Sequence, residues 1–190
     1  MRSSYIENDY GQVFYNVVRR FGAPVAVELG VLDGYSTYHI ARALKDYGNG
    51  HLNAYDLWED YEFKHGAMTE VKQMLEEKGV SEYVSLFKED AYKVSENYSD
   101  RTVHLLHVDI SNTGDTIATI MEQWDRKIVH GGIIFFEGGS AERDNIEWMI
   151  KYNKPPIKKA LETNPIILEK YIYATYLKFP SLTMLLKKRD

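Results

Sequence analysis

Five short apolar runs, each closing on an acidic residue and most of them followed by a stretch of helical periodicity, restrict what this chain can fold into more than any other feature. The runs are "PVAVELG", "HLNAYDLW", "YVSLFKEDA", "TVHLLHVDIS" and "HGGIIFFEGG". Between them, "GYSTYHIARALKDYGNG" places Ile40, Ala41 and Leu44 on one helical stripe, and "AMTEVKQMLEEKGV" does the same with Met68, Val71 and Leu75. The stretch Asp115–Val129 aligns Ile117, Ile120, Met121, Trp124 and Ile128 at helical spacing. Strands alternating with helices imply a parallel sheet with helices on both faces, and the nearly unbroken apolar character of "TVHLLHVDIS" suits a strand covered on both sides.

The flanks extend this pattern. Tyr10, Val13, Phe14, Val17, Val18 and Phe21 predict an amphipathic helix, with Asn8 or Asp9 as its cap and Gly22 to Pro24 as its stop. After the fifth run, "AERDNIEWMIKYN" reads as helical and "KPPIKKALETNP" as a short helix, while "IILEKYIYATYLKFPSLTMLLKK" reads as two strands with Pro180 in or beside their turn. The expected fold class is therefore α/β: a doubly wound, mostly parallel sheet with an antiparallel strand near the C-terminus. We expect one domain over 1–190, made of an N-terminal helix (1–22), a core (23–140) and C-terminal helices with a strand pair (141–190).

Composition narrows the function classes. A net charge of −5 argues against a general nucleic-acid partner, because affinity for polyanions rests on Lys and Arg. The one compact basic cluster, Lys187, Lys188 and Arg189, reads as a solvated tail. With no cysteine, disulfides, thiolate metal sites and a cysteine nucleophile are excluded. No stretch approaches the roughly 18 apolar residues of a membrane span, and "MRSSYIENDYGQ" lacks the pattern of a signal peptide, so a cytoplasmic location without membrane partners is expected.

The acids recur where ligands bind in open α/β sheets, outside the carboxyl ends of the strands: Glu28, Asp56, Glu89 and Asp90, Asp109, Glu137. In "VELGVLDGYST" the glycine spacing is Glu28-x-Gly30-x-x-x-Gly34, which differs from the G-x-G-x-x-G of dinucleotide sites. Carboxylates at Glu28 and Asp33 suit a cationic, phosphate-free ligand. Asp56, 22 residues after Gly34, stands where an acid can accept hydrogen bonds from ribose hydroxyls.

These residues resemble the class I S-adenosylmethionine-dependent methyltransferases over roughly Val25 to Glu137, and the "GYS" turn resembles that of the macrocin-type and caffeoyl-CoA-type O-methyltransferases. The resemblance implies a Rossmann-like methyltransferase sheet, S-adenosylmethionine as cofactor, S-adenosylhomocysteine as product, and a small-molecule acceptor methylated at a hydroxyl oxygen. It implies that Glu28, Gly30 and Gly34 shape the pocket for the methionine moiety, with Ser36 near its carboxylate. It also implies that Asp56 holds the ribose, that Leu57 or Trp58 flanks the adenine, that Asp90 and Ala91 contact the adenine edge, and that Asp109 faces the reacting methyl.

Methyl transfer is an in-line displacement, so alignment of the acceptor is the enzyme's main task, and a hydroxyl acceptor benefits from a base. Asp109 and Glu137 are the first candidates, with His107 or the loop residue His65 behind them. His107 lies two residues before Asp109 and on its face of the strand, although a histidine in an apolar strand is more often a core residue. Metal-dependent O-methyltransferases carry an acid after the fourth strand and an Asp-Asn pair after the fifth. Here the fifth run ends in Glu137-Gly138, a departure that argues against a metal, so no metal ligand is assigned and Mg²⁺ is kept only as an option on Asp109 and Glu137. In "FFEGGSAERDN", Ser140 is a helix cap, and Arg143 and Asp144 either touch substrate or form a solvated first turn. "Tyr10-Gly11-Gln12" belongs either to a lid or to a packed helix. A non-catalytic scaffold that binds the same ligand, and an NAD-type oxidoreductase, are the alternatives. A homodimer is an option, with the Tyr-rich C-terminal strands or the N-terminal helix as the contact. Asp56→Ala is expected to spare the fold, because Asp56 stands at a strand end.

Overall fold

A computed structural model describes residues 1–189. The alternation is realised as α1 (Tyr10–Phe21), β1 (Val25–Leu29), α2 (Tyr35–Tyr47), β2 (His51–Asp56), α3 (Met68–Glu77), β3 (Val84–Lys88), β4 (Val103–Val108), α4 (Gly114–Trp124) and β5 (Ile128–Glu137). Four short helices follow, α5 (Ala141–Asp144), α6 (Glu147–Lys151), α7 (Ile157–Thr163) and α8 (Pro165–Lys170), then β6 (Tyr171–Tyr176) and β7 (Leu182–Lys187). The strands form a seven-stranded sheet in the order β3-β2-β1-β4-β5-β7-β6. The chain divides into two compact units, Met1–Glu96 and the remainder from Asn97. Among the described residues no helix is long and apolar enough to cross a membrane.

In the first unit β2 pairs in parallel with β1 and with β3, so that Val27 stands opposite Asn53 and Leu86 opposite Ala54. Ala26, Val27, Leu29, Leu52 and Ala54 are buried, and Ile40, Ala41 and Leu44 of α2 are buried as their spacing predicts. α1 buries Tyr10, Gly11, Phe14 and Val18, while Phe21 at its end is exposed. Gly11 is required by close packing: a Cβ there would lie 2.4 Å from Nε2 of His39, whose ring is held at 4.7 Å from that of Tyr35 and 5.1 Å from that of Tyr38.

In the second unit β5 pairs in parallel with β4, and β7 runs antiparallel to both β5 and β6. Ile128, expected on the α4 stripe, opens β5 instead, because a single 3-10 turn over Asp125–Lys127 ends the helical run. "IILEK", expected as strand, is helical: Asn164 accepts hydrogen bonds from the N–H groups of Ile166 and Ile167 with Pro165 at the first turn, a start signal that outweighs the β-branched residues. The basic tail is not wholly solvated. Lys187 is buried and donates through Nζ to Asp125 at 3.1 Å, and Asp125 also accepts from Lys170 Nζ at 2.6 Å and the Tyr171 hydroxyl at 3.0 Å. Burial pushes the Asp125 carboxyl up, but these three donors hold it below its ordinary range.

Candidate functional site

The turn after β1 is tied down by backbone and side chain together. Gly30 N–H donates to the Tyr55 carbonyl at 2.9 Å, and Gly34 N–H donates to the Val31 carbonyl at 3.0 Å. Gly34 has φ +78°, and a Cβ there would meet Val71 and Met74 of α3 at 2.9 Å, so both conformation and packing demand glycine. Gly66 is a second close approach that the sequence did not mark. A Cβ on it would lie 1.8 Å from the Leu32 carbonyl oxygen.

Asp56, at the end of β2, supplies the clamp. Its Oδ2 accepts from Val31 N–H at 2.7 Å and Leu32 N–H at 3.1 Å, and its Oδ1 accepts from Trp58 N–H at 2.9 Å. A carboxylate offers about four acceptor positions, so roughly one remains, on Oδ1. The structure thus gives Asp56 a load in folding, which the expectation that Asp56→Ala spares the fold overlooked.

Glu28 is fully buried and accepts from the Ser36 and Thr37 hydroxyls at 2.5 Å each, joining β1 to the first turn of α2. The polar groups of Glu28 and Ser36 are therefore directed at one another. Their part is to set the turn rather than to present groups at a surface. Asp33 is engaged by Arg2, whose Nε donates at 2.8 Å and whose Nη2 donates at 2.7 Å. Arg2 holds the Asp33 carboxyl at about 2, below its ordinary value, and also donates to the His65 carbonyl at 3.0 Å. The reading of Asp33 as a charge for a cationic ligand is corrected accordingly: its partner is the chain's own N-terminal segment.

Leu57 and Trp58 leave the strand. The Trp58 indole is fully buried and donates through Nε1 to the Phe87 carbonyl at 2.9 Å, whereas Leu57 is 39% exposed. Of the pair, only Leu57 presents side-chain surface. Asp90 lies beyond β3 and accepts from Tyr92 N–H at 3.0 Å, with half-buried Ala91 between them. His65 is exposed and its Nδ1 lies 2.9 Å from the Phe63 carbonyl oxygen.

In the second unit Asp109 follows β4 and is partly exposed, and Glu137 ends β5 with 6% exposure. His107 is fully buried in β4, one residue before the strand's end and opposite Phe135. Glu137 Oε1 accepts from Arg143 Nε at 2.6 Å. Arg143 is itself 6% exposed, so it is not part of a solvated turn. Burial pushes the Glu137 carboxyl up, to about 7, and the charge of Asp109 adds to this, while Arg143 opposes it. Asn112, which the sequence did not single out, donates from Nδ2 to the carbonyls of Val108 at 3.0 Å and Glu137 at 3.1 Å, fixing the ends of β4 and β5 to each other. Asp144 accepts from Ile157 N–H and Lys158 N–H at the start of α7, a structural use of that acid. Ser140 caps α5 as expected, accepting from Arg143 N–H at 3.2 Å.

Comparison with known proteins gives these sites a context. The sequence profile described as "Methyltransferase domain" matches residues 27–137, from β1 through the end of β5. No curated protein shows significant sequence similarity to the chain. Among solved structures, the O-methyltransferase TomG from Streptomyces achromogenes, involved in tomaymycin synthesis and in complex with SAM, is 16% identical with a TM-score of 0.69, over 98% of this chain and 86% of that one. SAH-bound methyltransferase PaMTH1 from Podospora anserina is 15% identical with a TM-score of 0.72, over 100% and 80% of the two chains. An O-methyltransferase from Bacillus cereus in complex with SAH is 14% identical with a TM-score of 0.69, over 95% and 81%. At these identities the likeness is one of fold.

Proposed function

The chain belongs to the methyltransferase-domain family, and on that premise we propose that it transfers a methyl group from S-adenosylmethionine to the oxygen of a small-molecule acceptor in the cytoplasm. The observation that carries the reading is the Gly30–Gly34 turn, set by Glu28 and clamped by Asp56, inside the matched segment. When bound, S-adenosylmethionine supplies an electrophilic methyl on a sulfonium.

The chain's residues suit that cofactor. Asp56 retains about one acceptor position, enough for one ribose hydroxyl rather than two. The N–H groups at the start of α2, aligned by the Glu28 bonds to Ser36 and Thr37, favour a carboxylate such as that of the methionine moiety. Leu57 covers one face of the adenine, and Asp90 with Ala91 borders its edge. Asp109 and Glu137 serve the acceptor. A carboxyl poised near neutral pH, as Glu137 is, has the proton affinity of a general base.

An NAD-type oxidoreductase is disfavoured by the glycine spacing and the family. A scaffold that binds the cofactor without turnover differs only in the absence of methyl transfer. Isothermal titration calorimetry with S-adenosylmethionine and S-adenosylhomocysteine, against NAD and ATP, tests the cofactor assignment. Selective micromolar binding of the first two is expected, and a folded protein that binds neither refutes the proposal. A subsequent screen with radiolabelled methyl donor separates enzyme from scaffold.

A further inference from the structure

Within the second unit, the amino end of β5 carries a cavity of about 640 Å³, at the opposite end of that strand from Glu137. Its cations are Arg101, Arg126, Lys170, Lys187, Lys188 and Arg189. The antiparallel register brings them together. Leu182 stands opposite Glu137 and Leu186 opposite Ile133, so β7 delivers its basic end to the start of β5. Tyr171 stands opposite Lys187, which sets Lys170 and the end of α8 beside the same strand end.

Three acids, Asp100, Asp125 and Glu169, share this lining with six cations, in a chain whose net charge is −5. Two of the acids are spent within the protein. Asp100 accepts from Arg126 Nη2 at 2.7 Å and Lys127 Nζ at 3.1 Å, and Asp125 from Lys170 Nζ at 2.6 Å and Lys187 Nζ at 3.1 Å. Lys188 Nζ donates to neutral carbonyls, those of Leu168 at 3.2 Å and Glu169 at 2.7 Å. Among the described residues the guanidinium groups of Arg101 and Arg189 have no acid partner.

The two free arginines are carried on defined backbone. Arg101 has φ +56°, in the left-handed region, and is held there as its N–H donates to the Arg126 carbonyl at 2.9 Å and Thr102 N–H donates to the Lys127 carbonyl at 2.9 Å. Arg189 passes over Gly131, where a Cβ would stand 3.3 Å from its Nε, so the glycine leaves room for it. A concave surface lined by an excess of one charge focuses its field on the cavity, and an anion there relieves the repulsion among the cations. The volume falls in the range of about 300–1,000 Å³ typical of small-molecule sites, and guanidinium groups match phosphate oxygens in pairs.

We propose that this cavity is a second binding site, for a small molecule bearing a terminal phosphate or diphosphate, with Arg101 and Arg189 gripping the phosphate oxygens and Lys188 adding charge beside them. A terminal phosphate is favoured over a bridging diester, as in NAD, because it carries the second negative charge that the surplus of cations calls for. The site stands apart from the methyl-transfer reading, since the length of β5 separates it from Glu137.

The test is isothermal titration calorimetry of the full chain, saturated with S-adenosylhomocysteine, with pyrophosphate, with inorganic phosphate and with a single-stranded oligonucleotide. Saturable one-to-one pyrophosphate binding in the sub-millimolar range is expected, weakening as salt is raised. Arg101→Gln and Arg189→Gln should each weaken it roughly tenfold, the loss of charge-assisted hydrogen bonds, while S-adenosylhomocysteine affinity stays unchanged. If Arg101→Gln fails to fold, Arg101→Gly suits the left-handed backbone and serves instead. No saturable binding of pyrophosphate or phosphate, affinity unchanged in both variants, or binding confined to the oligonucleotide would each overturn the proposal. Pyrophosphate that S-adenosylhomocysteine displaces would do so too, because it would place the anion at the glycine turn. S-adenosylhomocysteine binding, measured alone, reports separately on the cofactor assignment, and the pyrophosphate titration is repeated on the free chain if it does not bind.

Discussion

Asp56 serves three backbone N–H groups and keeps about one acceptor position for a ligand, so binding and folding meet in one carboxylate. Asp56→Ala is expected to destabilise the chain by about 1–3 kcal/mol, the cost of leaving such donors unsatisfied, and to weaken S-adenosylhomocysteine binding at the same time. Urea denaturation with calorimetry checks both, and Asp56→Asn should recover part of each. Glu137 carries a pH signature. The folded chain holds its proton up to about 7, against an ordinary value of 4.5, so the folded state binds more protons between these values. Its contribution to stability is complete below about pH 4.5 and is lost as the pH rises to about 7, at a limiting slope of about 1.4 kcal/mol per pH unit. Glu137→Gln should flatten that part of the stability profile, measured by denaturation from pH 5 to pH 8. Asp33 titrates with the opposite sign: its ion pair with Arg2 is complete above the ordinary carboxylate range and fails as the pH falls toward 2.

Among the elements, α1 and α2 meet at a glycine. Gly11→Ala drives a methyl group into the His39 ring, which Tyr35 and Tyr38 prevent from moving aside, and should cost about 1–3 kcal/mol as an overpacked contact. His39→Ala in the same background should restore part of the loss, measured as a shift in melting temperature. At the other end of the chain, Asn164→Ala removes the cap of α8 and should cost about 1 kcal/mol. These elements also show how far periodicity reaches. The stripe of Ile117, Ile120, Met121 and Trp124 was legible because one helical face is buried, but Ile128 continued the same spacing into a strand. A stripe records which residues are buried and leaves open where the backbone changes course.

For the whole molecule, the matched segment runs from β1 through β5, which is also where the acids at the strand ends lie in sequence. Ligand that binds only the folded chain adds its binding free energy to stability. S-adenosylhomocysteine at a hundredfold its dissociation constant should add about 2.7 kcal/mol, and NAD at equal concentration should add nothing. Differential scanning fluorimetry reads the difference directly. What the sequence by itself determined is the parallel β-α order, the glycine turn and the series of acids, because hydrophobic period and left-handed backbone conformation are written in residue type and spacing. The tertiary structure decided which of those acids are occupied: Glu28 by two hydroxyls, Asp33 by Arg2, Asp56 by three amides and Glu137 by Arg143. It also decided that His107 and Trp58 are buried while Leu57 is not. A carboxylate's role depends on which donors reach it and on what excludes water from it, and those donors come from segments whose approach no local spacing encodes.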